Sequence, residues 1–218
     1  VAYCDAPGPL EAGGKTFYAV SPPPNDWSGE QVDSFLREYN LRSLHNLTVH
    51  EAMPGHYVQL LRSNATSSRL RSVLASGTFI EGWAVYSEGM MVERGFLSGD
   101  LLMRLIVLKW NLRCVTNALL DQMIHLDGID EETAMKLMVE DGFQEEREAA
   151  GKFRRSLLTS VQLSTYFAGY LEVVDIRKAV EQVWGEGFEL KRFHDELMSF
   201  GSPPPAFVKA LLLEQPLP

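Results

Sequence analysis

The chain has 218 residues, 45% of them apolar and 22% charged, which are ordinary values for one globular domain or one domain with a lobe. A formal charge of −9 without any Lys-Arg tract argues against nucleic acid as a partner, and no stretch reads as a membrane span. The two cysteines, Cys4 and Cys114, lack metal-type spacing, which argues against a zinc–thiolate site and a disulfide framework.

Residues 1–27 are rich in Gly and Pro and read as a loop segment with one short strand at Thr16–Val20. Such a strand either holds a peptide by backbone pairing or only covers the core. Residues 28–218 read as one helical domain. Ser28 with Gln31 makes a capping box, and Val32, Phe35, Leu36 and Tyr39 recur behind it at helical spacing. A second helix is expected from about Leu41 to about Arg62, and a short one over 67–75. An apolar helix over 79–94 carries Glu81 and Glu88. From Asp100 to about Leu126 runs a long, nearly all-apolar helix, interrupted by Arg104, Lys109 and Arg113 and expected to be central and buried. Asp130 caps the next helix, around Ala134, Leu137 and Met138. Phe143 to about Leu158 reads as a charged, mostly solvated helix, followed by helices over Val161–Trp184, over 189–199, and after Pro203-Pro204-Pro205 to about Leu213. Short connections between so many helices predict an all-α bundle with at most a small strand element.

The chemistry-bearing stretch is His50-Glu51-Ala52-Met53-Pro54-Gly55-His56. Imidazoles suit zinc, and a carboxylate beside a metal-bound water can take its proton. The spacing is two residues longer than the familiar H-E-x-x-H of zinc hydrolases. On an unbroken helix the two histidines would point apart, about 240° round the axis. Pro54 has no N–H to give the carbonyl four residues back, and Gly55 permits an unusual backbone angle, so a kink there would swing His56 back beside His50. A zinc hydrolase needs a third ligand. Glu81 and Glu88, seven residues apart and so on one helix face, lie among Phe79, Ile80, Trp83, Ala84 and Val85, where a carboxylate is costly unless it is paired or metal-bound.

H-E-x-x-P-G-H-x-x-Q followed by E-G-W-A-x-Y-x-E resembles a bacterial family known as domain of unknown function 885, itself similar to the zinc peptidases whose third ligand is a glutamate on a second helix. The resemblance implies a helical bundle of the gluzincin-like zinc-peptidase type. It implies one zinc ion held by His50, His56 and Glu81, with Glu51 as general base and Glu88 and Gln59 as residues that orient the ligands. Arg155, Gln162, Tyr166 and Gly169 fall at intervals the family shares. Tyr166 is therefore either an oxyanion donor or a core tyrosine, and Arg155 and Tyr170 are candidates for holding substrate. His125, at the end of the long helix, is a further candidate for the catalytic set, whereas His194 and His45 are read as structural and incidental. Tyr57 stands where the family often has a second histidine, Ser156 where it often has a tyrosine, and Gln122-Met123 where it has a Thr-Gly-like pair.

The resemblance also implies a longer parent chain, with its N-terminal half missing here and an extracytoplasmic location. Two functions follow. One is a zinc-dependent hydrolase of peptide bonds; the other is a non-catalytic helical binding or scaffold domain with a structural or vestigial metal site. A catalytic site must be open to solvent and a structural one closed.

Overall fold

The structure, a computed structural model, describes residues 2–11 and 13–218. It is an all-α bundle with a two-stranded antiparallel sheet on one side: β1 (Ala2–Asp5) pairs with β2 (Phe17–Val20) in a register that sets Tyr3 opposite Ala19. The expected strand is β2, one residue shorter; β1 falls in a stretch read as loop, where four residues offer too little alternation to notice.

Helix α1 (Gly29–Glu38) starts at the Ser28–Gln31 capping box, and α2 (Leu41–Glu51) starts at Asn40, whose side-chain oxygen accepts from the Arg42 and Ser43 amides. The helix expected to run on to Arg62 is two helices. α2 ends at Glu51, and α3 (His56–Asn64) begins after the break. Pro54 lacks the donor to continue the ladder, and the Met53–Pro54 peptide is cis. Gly55 has φ −67° and ψ −128°, an unusual pair as expected, and a Cβ there would lie 1.8 Å from the His50 carbonyl oxygen. That close approach leaves room for glycine alone.

After the short α4 (Arg69–Val73), helix α5 (Gly77–Glu93) runs through the middle of the molecule. A one-turn helix, α6 (Phe96–Gly99), leads to α7 (Leu101–Gln122), which continues through a wider final turn to Asp127. α8 (Glu131–Lys136) ends in a similar widened turn, Leu137–Asp141. α9 (Glu146–Ser156) starts later than expected because Phe143 has φ 52°. α10 (Gln162–Trp184), α11 (Leu190–Ser199) and α12 (Pro205–Leu212) complete the chain.

α10 lies along both α5 and α7, and α2 packs across α5 and α7. The α5–α10 crossing is unusually close. A Cβ on Gly82 would sit 2.3 Å from the Gly169 carbonyl carbon, and one on Gly169 would sit 2.0 Å from the Thr78 oxygen. Below the crossing, Phe79, Trp83, Tyr86 and Met90 of α5 pack on Val173, Ile176 and Val180 of α10 and on Phe193 and Leu197 of α11. Leu120, Met138, Phe153 and Leu163 form a second cluster, and Phe35, Tyr39, Leu47 and Trp110 a third.

α7 is not buried all round, as its composition predicts. Met103, Val107, Trp110, Asn117 and Leu120 face inward, but Leu105 is 60% exposed, and Leu101, Leu102, Leu108 and Leu119 are exposed with it. Its helical neighbours cover one side only. No helix among the described residues is long and apolar enough to cross a membrane.

Candidate metal centre

The break between α2 and α3 brings the two imidazoles together. His50 closes α2 and His56 opens α3; their ring centroids are 4.7 Å apart, with the planes at 89°. Trp83 of α5 donates its indole N–H to the Pro54 carbonyl at 3.0 Å, which ties the break to the helix that carries Glu81. From there the Glu81 carboxylate reaches both rings. Its Oε2 is 3.8 Å from His50 Nε2 and 3.4 Å from His56 Nε2, and the ligand atoms of the three residues all lie within 4.8 Å of one another.

These residues fit a zinc ion. Ligands bound tetrahedrally at the usual zinc–nitrogen and zinc–oxygen distances stand about 3.4 Å from each other, close to the 3.8 and 3.4 Å between Glu81 and the two imidazoles. Glu81 Oε2 is buried and has no hydrogen-bond partner, an expensive arrangement for a carboxylate oxygen that a cation would relieve. Two imidazoles and one carboxylate are a donor set also found in zinc sites that keep a fourth position free.

Glu88, two turns along α5, orients His50. Its Oε1 is 2.7 Å from His50 Nδ1, and its Oε2 accepts from the Asn46 amide at 2.5 Å. Holding Nδ1 leaves Nε2 to face Glu81. Burial works against a charged His50, but the bond to Glu88 and the charges of Glu88, Glu81 and Glu51 outweigh it and raise the imidazole to about 9. Burial would likewise raise Glu81, yet the neighbouring His56 imidazole and the charges of His50 and Arg155 bring it below the usual carboxylate range.

Glu51 follows His50 on the last turn of α2. Its Oε2 accepts the backbone N–H of Cys4 at 3.1 Å, so strand β1 lies directly over it. Beyond these groups opens a cavity of about 620 Å³, whose walls include Glu51, Glu81, Arg155 and Tyr166. Arg155 donates to the Tyr166 hydroxyl at 3.1 Å. Gln162 donates to Glu81 Oε1 at 3.4 Å. Asp121 of α7 accepts from the Val161 amide and the Ser164 hydroxyl, which fixes the start of α10 and so the position of Tyr166.

Three residues expected at the site stand elsewhere. His125 sits on the widened last turn of α7 and gives its Nε2 to the carbonyls of Ser156 and Thr159, at 3.1 and 2.8 Å; it ties α7 to the α9–α10 turn and does not line the cavity. Tyr170 is one turn beyond Tyr166, past the glycine crossing, and lines a separate cleft with Tyr86 and Arg177. Gln59, on α3, is buried and does not line the cavity; its amide donates to the Ser202 hydroxyl at 2.5 Å.

Other groups at the site escaped the sequence. Asn46 is one, although it precedes His50 by four residues and so shares its face. A buried charge network along the cavity wall is another. Arg113 donates to Glu148, to Glu38 at 3.4 Å and to the Tyr39 hydroxyl at 3.2 Å, and Lys152 donates to Gln144 at 2.6 Å. Burial opposes the Glu148 carboxylate, but the charges of Arg113 and Lys152 hold it down to about 2.

Residues 1–212 match the model of a family described as bacterial protein of unknown function, DUF885. Among solved structures, the chain is similar to a candidate lipoprotein of unknown function from Shewanella oneidensis, at 44% identity and a TM-score of 0.87, over 97% of this chain and 39% of that one. It is also similar in fold to a candidate lipoprotein from Colwellia psychrerythraea, at 23% identity and a TM-score of 0.86, over 98% of this chain and 35% of that one. The chain thus spans well under half the length of either protein. No curated protein matches it.

Proposed function

The chain belongs to the bacterial family of unknown function DUF885, and from that premise we propose that it is a zinc-dependent hydrolase of peptide bonds. The observation that carries the reading is the convergence of His50, His56 and Glu81 within 4.8 Å at the wall of an open cavity, with Glu51 beside them. His50, His56 and Glu81 would hold the ion. Bound zinc supplies Lewis acidity, acidifying a water and polarising the scissile carbonyl.

The chain's own groups have separable tasks. Glu51 accepts the proton of the attacking water and returns it to the leaving amine, and the Cys4 N–H keeps its carboxylate directed. Tyr166, whose hydroxyl accepts from Arg155 and is therefore free to aim its own proton into the cavity, steadies the negative oxygen formed during attack. Glu88 and Asn46 keep His50 in its ligating orientation. That the bond cut is a peptide bond rests on likeness to the zinc peptidases. The openness of the cavity favours this reading over a closed, structural metal site. Given the lipoprotein description of its relatives, an extracytoplasmic location is proposed with it.

Glu51→Gln separates the base from the ligands. Hydrolysis of a mixed peptide library should fall by about 10²- to 10⁴-fold, the usual worth of a general base, while bound zinc measured by elemental analysis stays at the wild-type level. Turnover that survives the substitution would remove Glu51 from the reaction.

A further inference from the structure

The cavity extends past the three ligand groups to a wall built by one face of α9. Glu148, Gly151, Lys152 and Arg155 stand at i, i+3, i+4 and i+7, and all four line it. The charges on and behind this wall do not balance. Glu148 is engaged by Arg113 and by the Tyr39 hydroxyl at 2.7 Å. Glu38, fully buried, takes Lys109 at 2.6 Å and Arg113 at 3.4 Å. By direct contact these two carboxylates serve Lys109 and Arg113, and they reach Lys152 only through their charge. Lys152 is 5% exposed and has the Gln144 amide oxygen as its partner, with no carboxylate among the described residues within 4.0 Å. Arg155 also has no carboxylate among the described residues within 4.0 Å, although Glu81 feels its charge, and it donates to Tyr166.

A buried cation without a countercharge is costly, and an anion entering the cavity offsets that cost. Burial first, then the charge of Arg113, pulls Lys152 well below the usual lysine range, and the charges of Glu148 and Glu38 offset this only in part. Gly151 stands next to Lys152 and one turn before Arg155 on this face. Nothing stands within 4 Å of where its Cβ would be, so the helix surface is bare there. Glycine is a poor helix former, and no packing contact at this position calls for it.

We propose that Gly151, Lys152 and Arg155 form a subsite for a carboxylate of the substrate, in the same cavity as the hydrolytic groups; the substrate being a peptide rests on the hydrolase reading above. A peptide presents a carboxylate at its C-terminal end or on an Asp or Glu side chain. The first source would make the enzyme remove residues from the C-terminal end; the second would make it select acidic sequences.

Calorimetric binding of three blocked peptides separates these cases: N-acetyl-Ala-Ala as the free acid, the same peptide as its amide, and N-acetyl-Ala-Glu as its amide. A Glu51→Gln background, with whatever metal the purified chain carries, keeps turnover out of the measurement. One of the acids is expected to bind about tenfold tighter than the neutral amide, the worth of one charge-assisted hydrogen bond, and which acid it is names the source. Lys152→Met should abolish the preference, and Gly151→Leu, which fills the bare surface, should weaken the acid several-fold while the circular dichroism spectrum is unchanged. If Lys152→Met does not fold, Arg155→Gln and Gly151→Leu carry the same expectation. Equal binding of all three peptides, or a preference that survives these substitutions, overturns the subsite. A chain that keeps the preference yet hydrolyses nothing with Glu51 restored would retain the subsite and lose the hydrolase reading.

Discussion

His194 is enclosed by aromatic rings, with centroids 5.2 Å from Trp83, 5.6 Å from Tyr86 and 5.4 Å from Phe193. Burial, and after it the charge of Arg177, pushes the imidazole down to about 4. Arg177 also donates to the Tyr86 hydroxyl at 3.4 Å, so that hydroxyl gives its proton to His194 Nε2, 2.9 Å away, which suits a neutral ring. An unfolded histidine titrates near 6.5. Between about 4 and 6.5 the unfolded chain binds a proton that the folded chain refuses, so stability rises with pH across that window. Urea unfolding should show wild-type stability falling between pH 7 and pH 4.5 by about 2 kcal/mol more than in His194→Gln; parallel curves would mean the ring titrates normally. At this scale, the sequence is clearest where a residue type has few alternatives. His50, Glu51 and His56 announce themselves because two imidazoles around a carboxylate have little other use at that spacing. Lys152 and Arg113 do not, because a cation in a helical pattern reads as solvent-facing, and only the fold shows that both lie inside. Spacing places a residue on a face but does not say what that face meets, which is why Tyr170 and Gln59 stand apart from the site.

Helices were legible nearly everywhere, whereas their joints were not. Capping boxes and apolar periodicity locate α1, α5 and α10 to within a few residues. The break at Pro54-Gly55 was expected as a kink in one helix, and what forms is two helices with a glycine pressed against the His50 carbonyl. Composition made α7 look buried on every side, because counting apolar residues cannot tell a covered face from an open one. The α5–α10 crossing is also silent in the sequence: Gly82 and Gly169 meet 87 positions apart. Yet this contact sets Glu81 and Tyr166 on facing helices at the same cavity. Gly169→Ala would drive a Cβ to 2.0 Å from the Thr78 oxygen, which only a separation of the two backbones can relieve. It is expected to destabilise the fold by about 1 to 3 kcal/mol or more, as overpacking does. Gly89→Ala on the same α5 meets nothing within 4 Å and should stabilise by about 0.5 to 1 kcal/mol. Denaturant titration of both variants decides the matter. A Gly169→Ala protein as stable as Gly89→Ala would mean that the crossing is loose.

Across the whole molecule, the proposed ligands come from elements joined only through packing. His50 and His56 flank the α2–α3 break, and Glu81 belongs to α5. An ion there would bridge two parts of the bundle, so zinc should stabilise the folded chain by mass action, about 2.7 kcal/mol at a free concentration one hundred times its dissociation constant. The size of that gain should depend on pH through His50. Without an ion, the ring holds a proton up to about 9, against about 6.5 in the unfolded chain. That excess contributes stability which is fully present below about 6.5 and is lost as pH rises through about 9. An ion must displace this proton, since a ligating imidazole is neutral, and displacement is easier at higher pH. Melting curves with and without zinc should therefore separate more at pH 8.5 than at pH 6.5, the metal-free midpoint falling as the zinc-loaded one holds. Glu88→Gln, which keeps the shape of the Glu88 side chain but removes the charge that favours the His50 proton, should shrink the difference between the two pH values. A zinc-induced shift of equal size at both, in wild type and variant alike, would place the ion away from His50.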